Sequence, residues 1–544
     1  MRIPFALLAA SVWLPGALAT TLVVNPALKT ASDDNPGTEA KPLLTISRAA
    51  ALVQAGDTVR IYPGVYREAV VIKQSGMAEK PIRFEAVPGA AVVLTGADRI
   101  VGWRREPGEG NVFSTEWPNR LSRTHPDDDY HLITGRAEQV FVQGYLLRLV
   151  PSKDKLTRGT FWIDTEAKRI WAQSIENRDL SVKSAIVEAS VRPLIWSVEG
   201  AYVQTRGIRF RYASNPAQRG AATFAGRGDM VEDCVFEKTN GAGAQFRAED
   251  IVVRRSEFSE NGQLGFSANR AHRLLMSECL IQGNNTKNFN RSWEAGGDKL
   301  ALSKGVVIER SMFTGNHGNA IWFDIGNEDS TVRQCLIENN EDGGIFYEIS
   351  YGLHAYDNVI IYNGLSDTPG AWGAQAGINL SSSPNCVIER NLLLGNREGF
   401  AFREQQRKTN RIDGEKDVRV WNHDEVIRDN VLTYNVSSQV AGWFDVPDER
   451  CWPGNVAGLK LSFMQNFFAR FPGQRLVQWG PGWKRHQMYD KLADFQNELH
   501  LDTGSAETEF PFADPIVRDF RLPAGHPALR AMPRGPVPGV RIGS

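Results

Sequence analysis

The sequence predicts an all-β chain wound as a parallel solenoid, and three observations lead there. An imperfect repeat begins near residue 203, its clearest copies being VEDCVFEKTN (231–240), VRRSEFSENG (253–262), LMSECLIQGN (275–284), VIERSMFTGN (307–316), VRQCLIENN (332–340), VIERNLLLGN (387–396) and VIRDNVLTYN (426–435). Each copy sets a small residue (Cys234, Ser256, Cys279, Ser311, Cys335, Asn358, Asn391, Asn430) ahead of an asparagine (Asn240, Asn261, Asn284, Asn316, Asn340, Asn363, Asn396, Asn435). Those asparagines are spaced by 21, 23, 32, 24, 23, 33 and 39 residues. A base period of 21–24 holding short β-branched runs and turns, with no helical stretch between, fits one turn of a β-solenoid. The Leu-x-x-Leu-x-Leu spacing of a leucine-rich repeat is missing. Coils stack at about 4.8 Å, so like residues form internal ladders along the axis.

Taken in chain order, residues 1–19 are expected to be a secretory signal. Arg2 supplies the positive end, Phe5 to Leu14 the apolar stretch and Ala17-Leu18-Ala19 the small-residue cleavage pattern, so the mature chain would be exported and begin at Thr20. Residues 20–100 are expected to hold the N-terminal cap and first coils. TISRAAALVQAGD (45–57) reads as a short helix ending at Gly56, followed by strand-turn-strand in GDTVRIYPGVYRE (56–68). This segment resembles the N-terminal region of right-handed β-helix carbohydrate enzymes, through Asn35-Pro36-Gly37-Thr38, Thr45-Ile46, Gly56-Asp57-Thr58-Val59 and Gly64-Val65-Tyr66. The resemblance implies a right-handed parallel β-helix with an N-terminal capping helix. Residues 101–195 break the repeat and are punctuated by Trp103, Trp117, Trp162 and Trp171, so they read as an inserted small β-subdomain. The main coil and its cleft are expected over 196–446, and residues 447–544, with Pro and Gly scattered through 512–540, as a segment packing along the coil.

Lys and Arg total 62 against 63 Asp and Glu, which leaves no basic footprint for a nucleic acid. No later stretch approaches the roughly 20 apolar residues of a membrane span. The five cysteines are an odd number, and three sit at equivalent repeat positions, so they read as buried free thiols. Cys234 and Cys279 would lie two coils apart, about 10 Å, too far for a disulfide. No Walker loop, dinucleotide fingerprint, HExxH or CxxC pair is present. The sequence carries no signal for a particular oligomeric state.

The three long spacings are insertions, and insertions in a solenoid become loops on one face. They hold Trp293 (285–296), Trp372 (364–376) and Trp421 (404–425). Two precede the second apolar strand of their coil and one follows it, so they are expected to flank a cleft whose tryptophans stack on sugar rings or pin the loops themselves. Alternation reads the floor between them. Ile321, Phe323 and Ile325 should point inward, with Trp322 and Asp324 outward; one coil later Ile345, Tyr347 and Ile349 should point inward, with Phe346 and Glu348 outward. Neighbouring coils would add Lys299, Asn379 and Arg403. Asp324 and Glu348 are one period of 24 apart, so their backbones should be ladder neighbours at about 4.8 Å. Retaining glycosidases hold their carboxyls about 5–5.5 Å apart, and like charges so close raise one pKa. The alternatives are a solvated acidic ladder or a calcium site, with Lys299 and Arg403 offsetting the charge. His317, His354 and His423 lie near turns, and NEDS (327–330) reads as an acidic calcium loop.

The stretch AIWFDIGNEDSTVRQCLIENNEDGGIFYEISYG resembles the active-site segment of the β-helical β-xylosidases of glycoside hydrolase family 120. In that family a Gly-Ile-Trp-Leu-Asp strand carries the nucleophile and a Phe-x-Glu strand one coil later the acid/base. The insertions and floor strands would set Trp293, Lys299, Phe346, Trp372, Asn379, Arg403 and His423 around a sugar, while the resemblance implies Asp324 as nucleophile, Glu348 as acid/base and Trp322 as the family's tryptophan. It implies a retaining hydrolase on a polysaccharide or its oligosaccharides with no cofactor, calcium being the one metal the acidic residues would suit. The alternatives are a lyase or uronate epimerase resembling polysaccharide lyase family 6, with Lys299 removing the C5 proton and Arg403 neutralising the uronate, or a non-catalytic sugar-binding β-helix.

Overall fold

The computed structural model describes residues 19–121, 133–292, 295–366, 375–405, 407–444, 453–480 and 487–543. The expected secretory signal therefore falls, but for its last residue, outside the described residues, as do Trp293 and Trp372.

Three sheets of 13 strands run along one axis, and each coil adds a strand to each sheet. One coil reads Val307–Glu309, Met312–Thr314 and Ile321–Phe323; the next reads Thr331–Arg333, Leu336–Glu338 and Ile345–Glu348. Their registers are parallel, with Ile308 opposite Val332, Phe313 opposite Ile337 and Ile321 opposite Ile345. Like therefore stacks on like: the rings of Phe210, Phe236 and Phe258 follow one another at 4.8 and 4.9 Å inside the coil. Such stacks are the repeating unit of burial in a solenoid.

The corners explain the repeat. At each corner one residue takes a left-handed conformation, and the next turns its side chain inward, where its oxygen accepts a backbone N–H of the preceding coil. Asn339, for example, has φ +55. Asn340 then accepts the Asn316 N–H at 3.1 Å and donates to Asn363 Oδ1 at 2.8 Å and to the Phe313 carbonyl at 3.1 Å. This ladder runs through Asn261, Asn284, Asn316, Asn340, Asn363, Asn396 and Asn435. It satisfies corner backbone groups that no strand reaches. The second corner is built alike, from Cys234 and Ser256 through Cys335 to Asn358, Asn391, Asn430 and Asn466. Cys234, Cys279, Cys335 and Cys386 are buried free thiols. Asn240 does not belong to the first ladder. Thr239 takes that place and accepts nothing from below but donates to Asn261 Oδ1 at 2.9 Å, while Asn240 turns its amide to the Asn215 carbonyl.

A third corner follows the strands that carry Asp324 and Glu348, with Ser303, Asn327, Ser350, Ser383 and Asn422 as its ladder. The residue ahead of Ser350 is Ile349, at φ +47. The left-handed residue ends the strand's alternation, so Ile349 does not enter the axial core as expected; it packs outside it with Tyr351 and Val420. Ile325 is likewise absent from the core that holds Ile321, Phe323, Ile345 and Tyr347.

The capping helix spans Ile46–Leu52, with the Thr45 hydroxyl accepting from Arg48 N and Ile46, Ala49 and Ala50 buried on the end of the coil. It stops short of Gly56 because Asp57 takes the Gln54 and Thr20 N–H groups, both at 2.8 Å. Between Ala97 and Ser190 the chain leaves the coil and forms a four-stranded and a five-stranded sheet around Trp103, Phe113, Trp117, Val140 and Phe161. The coil extends beyond residue 446: Ser462–Met464, Phe467–Ala469 and Arg475–Gly480 make a further turn. The 36-residue step from Asn430 to Asn466 hides that turn in the sequence. The helix Leu492–Leu499 follows, burying Phe495 in the core beside Trp479. The tail then lies along the outer face of one sheet, with Phe510, Phe520, Leu522 and Met532 against Leu336, Val359, Ile361 and Leu392.

Candidate active site

Asp324 and Glu348 stand on the outer face of one sheet. Strand Ile321–Phe323 pairs with Ile345–Glu348 so that Trp322 lies opposite Phe346 and Phe323 opposite Tyr347, which brings Asp324 and Glu348 to adjacent ladder positions. The Trp322 and Phe346 rings form their own cluster outside the axial core, centroids 5.3 Å apart.

The two carboxyls have different surroundings. The Asp324 side chain is 21% exposed, and its Oδ2 is 2.9 Å from Lys299 Nζ. That ammonium also sits 3.9 Å from the centre of the Trp322 ring, a cation–π contact that holds it in place. Glu348 is 2% exposed. Its Oε2 accepts the Trp322 indole N–H at 3.3 Å and its Oε1 lies 3.2 Å from Arg407 Nη1. Burial pushes the Glu348 carboxyl up to about 7, and the negative charge of Asp324 adds to the rise, while Arg407, Lys299 and the indole oppose it. The Glu348 carboxyl is therefore able to keep a proton close to neutrality, beside an Asp324 that is paired with Lys299.

Arg407 comes from the third insertion. That segment is an antiparallel hairpin, Arg407–Thr409 against Val418–Val420, standing over the third corner. Val420 packs on Ile349 and Tyr351, and Arg411 reaches Glu328 Oε1 at 2.8 Å while lying over the Tyr351 ring at 4.0 Å. This use of Glu328 corrects the reading of NEDS as a calcium loop. Its carboxylate takes Arg411 and the Ile412 N–H at 3.0 Å, and Asn327 is a corner residue. Among the described residues no group of three or more His, Cys, Asp or Glu is placed to hold a metal ion.

The remaining expected residues divide. Lys299 pairs with Asp324 as described. Asn379 is opposite Phe346 and fully buried, and Arg403 is opposite Ser381, two coils past Glu348 and three past Asp324 along their column. His423 stands beyond the floor at the corner after Asn422, where Nδ1 engages Asp424 at 2.6 Å and the ring lies 4.7 Å from Trp421. His317 pairs with Glu341 at the opposite edge, and Arg291 of the first insertion bridges Glu341 and Asp342 there. His354 is not beside the floor: it lies in strand His354–Tyr356 of another sheet and engages Glu389. Trp293 and Trp372 fall outside the described residues. Two residues that the sequence reading passed over belong to the site: Arg407, and Asp298, which accepts the Trp322 backbone N–H at 2.9 Å. A basic residue just after a floor strand was the only trace of Arg407; Asp298 could have been found as an acid at an inward position beside Lys299.

A family model described as "Right handed beta helix region" matches residues 181–296, 220–393 and 291–430. The chain is a right-handed parallel β-helix. The fold expected from the repeat and from the resemblance to β-helical carbohydrate enzymes is thereby borne out. Among solved structures, XylC in complex with xylose is similar at a TM-score of 0.65 and 17% identity, over 91% of this chain and 87% of that one. A polysaccharide family 6 lyase specific for mannuronic acid, from human gut microbiota, is similar at a TM-score of 0.49 and 13% identity, over 96% and 91%. Uncharacterized protein YwoF of Bacillus subtilis (strain 168) is 40% identical over 98 residues. That match covers 18% of this chain and 18% of the relative's length.

Proposed function

We propose that this β-helix is a retaining glycoside hydrolase acting on a polysaccharide or its oligosaccharides, with Glu348 as general acid/base and Asp324 as nucleophile. The observation that carries the reading is the unequal environment of two ladder-neighbour carboxyls. Glu348, buried and raised to about 7, is suited to hold a proton near neutrality, while Asp324, more exposed and 2.9 Å from the Lys299 ammonium, is placed to attack. In the first step Glu348 gives its proton to the glycosidic oxygen as that bond breaks, and Asp324 Oδ attacks the anomeric carbon. In the second, Glu348 takes a proton from water, whose oxygen displaces Asp324 from the sugar. Arg407 leaves Glu348 Oε1 to the incoming oxygen as substrate enters. The sequence resemblance to family 120 β-xylosidases and the fold shared with XylC, which was determined with xylose, support a sugar substrate. The leader read at residues 1–19 would place that action after export.

Asp324→Ala should abolish hydrolysis, and added azide should restore turnover with a glycosyl azide as product. Wild-type turnover by Asp324→Ala contradicts the assignment. A lyase reading is favoured by the cations Lys299, Arg403 and Arg407 near the floor, which would suit a uronate. It predicts an unsaturated uronide with ultraviolet absorbance, and products lighter by one water than those of hydrolysis.

A further inference from the structure

Asp298 lies in strand Gly296–Ala301, opposite Phe266 of the preceding coil, on the inward side of the sheet. It is fully buried. Its column otherwise holds apolar residues: Phe266 before it, and Ile321, Ile345, Ile378 and Phe400 after it. An isolated acid in such a place is costly unless it does something specific.

What it does is interrupt the ladder. Leu300 pairs with Phe323 in ordinary parallel register, and Asp324 N donates to the Leu300 carbonyl at 2.8 Å. Two residues earlier the same pattern would send the Trp322 N–H to the Asp298 main-chain carbonyl. Instead it goes to Asp298 Oδ1 at 2.9 Å, and Leu300–Phe323 is the single registered pair between the two strands. Asp298 Oδ2 has no hydrogen-bond partner in the structure. The side chain thus stands in for a backbone acceptor beneath Trp322, two residues before Asp324 follows the end of the strand.

We infer that Asp298 is a positioning residue: its carboxyl, wedged between two coils, sets where Trp322 stands against Lys299 and Glu348, and hence the spacing of the catalytic pair. The inference rests on the proposed roles of Asp324 and Glu348. Trp322 transmits the placement, because its ring carries Lys299 at 3.9 Å and its indole N–H reaches Glu348 Oε2 at 3.3 Å. The groups facing Glu348 are Asp324, Lys299 and Trp322 from the preceding coils and Arg407 from the hairpin.

Asp298→Asn and Asp298→Ala separate this role from stability. Asparagine keeps an acceptor for the Trp322 N–H; alanine lets the main-chain ladder close and removes a buried acid. In Asp298→Ala the Trp322 indole ¹⁵N–¹H signal (assigned through Trp322→Phe) should move, and the Glu348 titration, followed by carboxyl ¹³C shift, should rise as the indole bond is lost. Turnover should fall at least 30-fold with KM changed less than 3-fold and an unchanged or higher Tm. Asp298→Asn should stay within 3-fold of wild type with wild-type spectra. An unmoved indole signal and Glu348 titration in Asp298→Ala overturn the inference, as does an Asp298→Asn enzyme as impaired as Asp298→Ala. Moved signals in a protein that hydrolyses no glycan uphold the positioning role and remove the hydrolase reading alone.

Discussion

Replacing Arg407 with methionine isolates the electrostatics of the acid. The guanidinium is 3.2 Å from Glu348 Oε1 and its side chain is 32% exposed, so water screens the pair. Even with the full dielectric of water, two unit charges at that separation interact by about 1.3 kcal/mol, which corresponds to about one pKa unit. Arg407 holds the Glu348 pKa down, against burial and Asp324, at about 7. Arg407→Met should therefore move it up by about one unit. The free-enzyme acid appears in the basic limb of the kcat/KM profile. That limb should shift from about 7 toward 8. The substrate should be an oligosaccharide rather than a nitrophenyl glycoside, since an activated leaving group needs no proton. A basic limb that stays fixed or moves down refutes both the role of Glu348 as acid and that of Arg407 as its tuning cation.

Glu348 also leaves a mark on stability. Its folded pKa of about 7 lies above the ordinary 4.5, so the folded form binds the proton more tightly and stability falls as pH rises from about 4.5 to about 7. Glu348→Gln should remove that fall, worth at most about 3 kcal/mol, and thermal scans at pH 5 and pH 8 should then agree more closely than for wild type. Lys299→Met deprives Asp324 of its 2.9 Å partner and should lower kcat/KM by about 10- to 100-fold, about 1.4–2.7 kcal/mol, with a folded circular dichroism spectrum. Asn340→Ala removes the amide that accepts from Asn316 and donates to Asn363 and to the Phe313 carbonyl in a buried corner, and should cost about 3 kcal/mol in denaturant unfolding, whereas half-exposed Glu341→Ala should cost about 1 kcal/mol or less.

The fold was legible because a solenoid writes its geometry into spacing. The period of the asparagines is the length of a coil, and their side chains are the ladder that closes each corner. Thr239 escaped notice because a hydroxyl can serve the same corner that Asn240, one residue later, only resembles in type. Asp324 and Glu348 were readable by strand alternation plus one period. Ile349 was not, since a left-handed residue at φ +47 cancels alternation at the corner. Arg407 and His423 lie in an insertion, where no period sets direction; the hairpin's own pairing brings one to Glu348 and leaves the other with Asp424. Asp298 was hidden by its neighbour, because Lys299 drew attention to the outer face of the same strand.

The pairing of Asp324 and Glu348 as nucleophile and acid/base is tested most directly by the anomer first released from substrate. Proton NMR, recorded within seconds of adding enzyme and before the sugar mutarotates, distinguishes the two. Two successive displacements at neighbouring coils predict the same anomeric configuration in the first product as in the substrate. A first product of inverted configuration, or an unsaturated one carrying no anomeric hydration, contradicts the account.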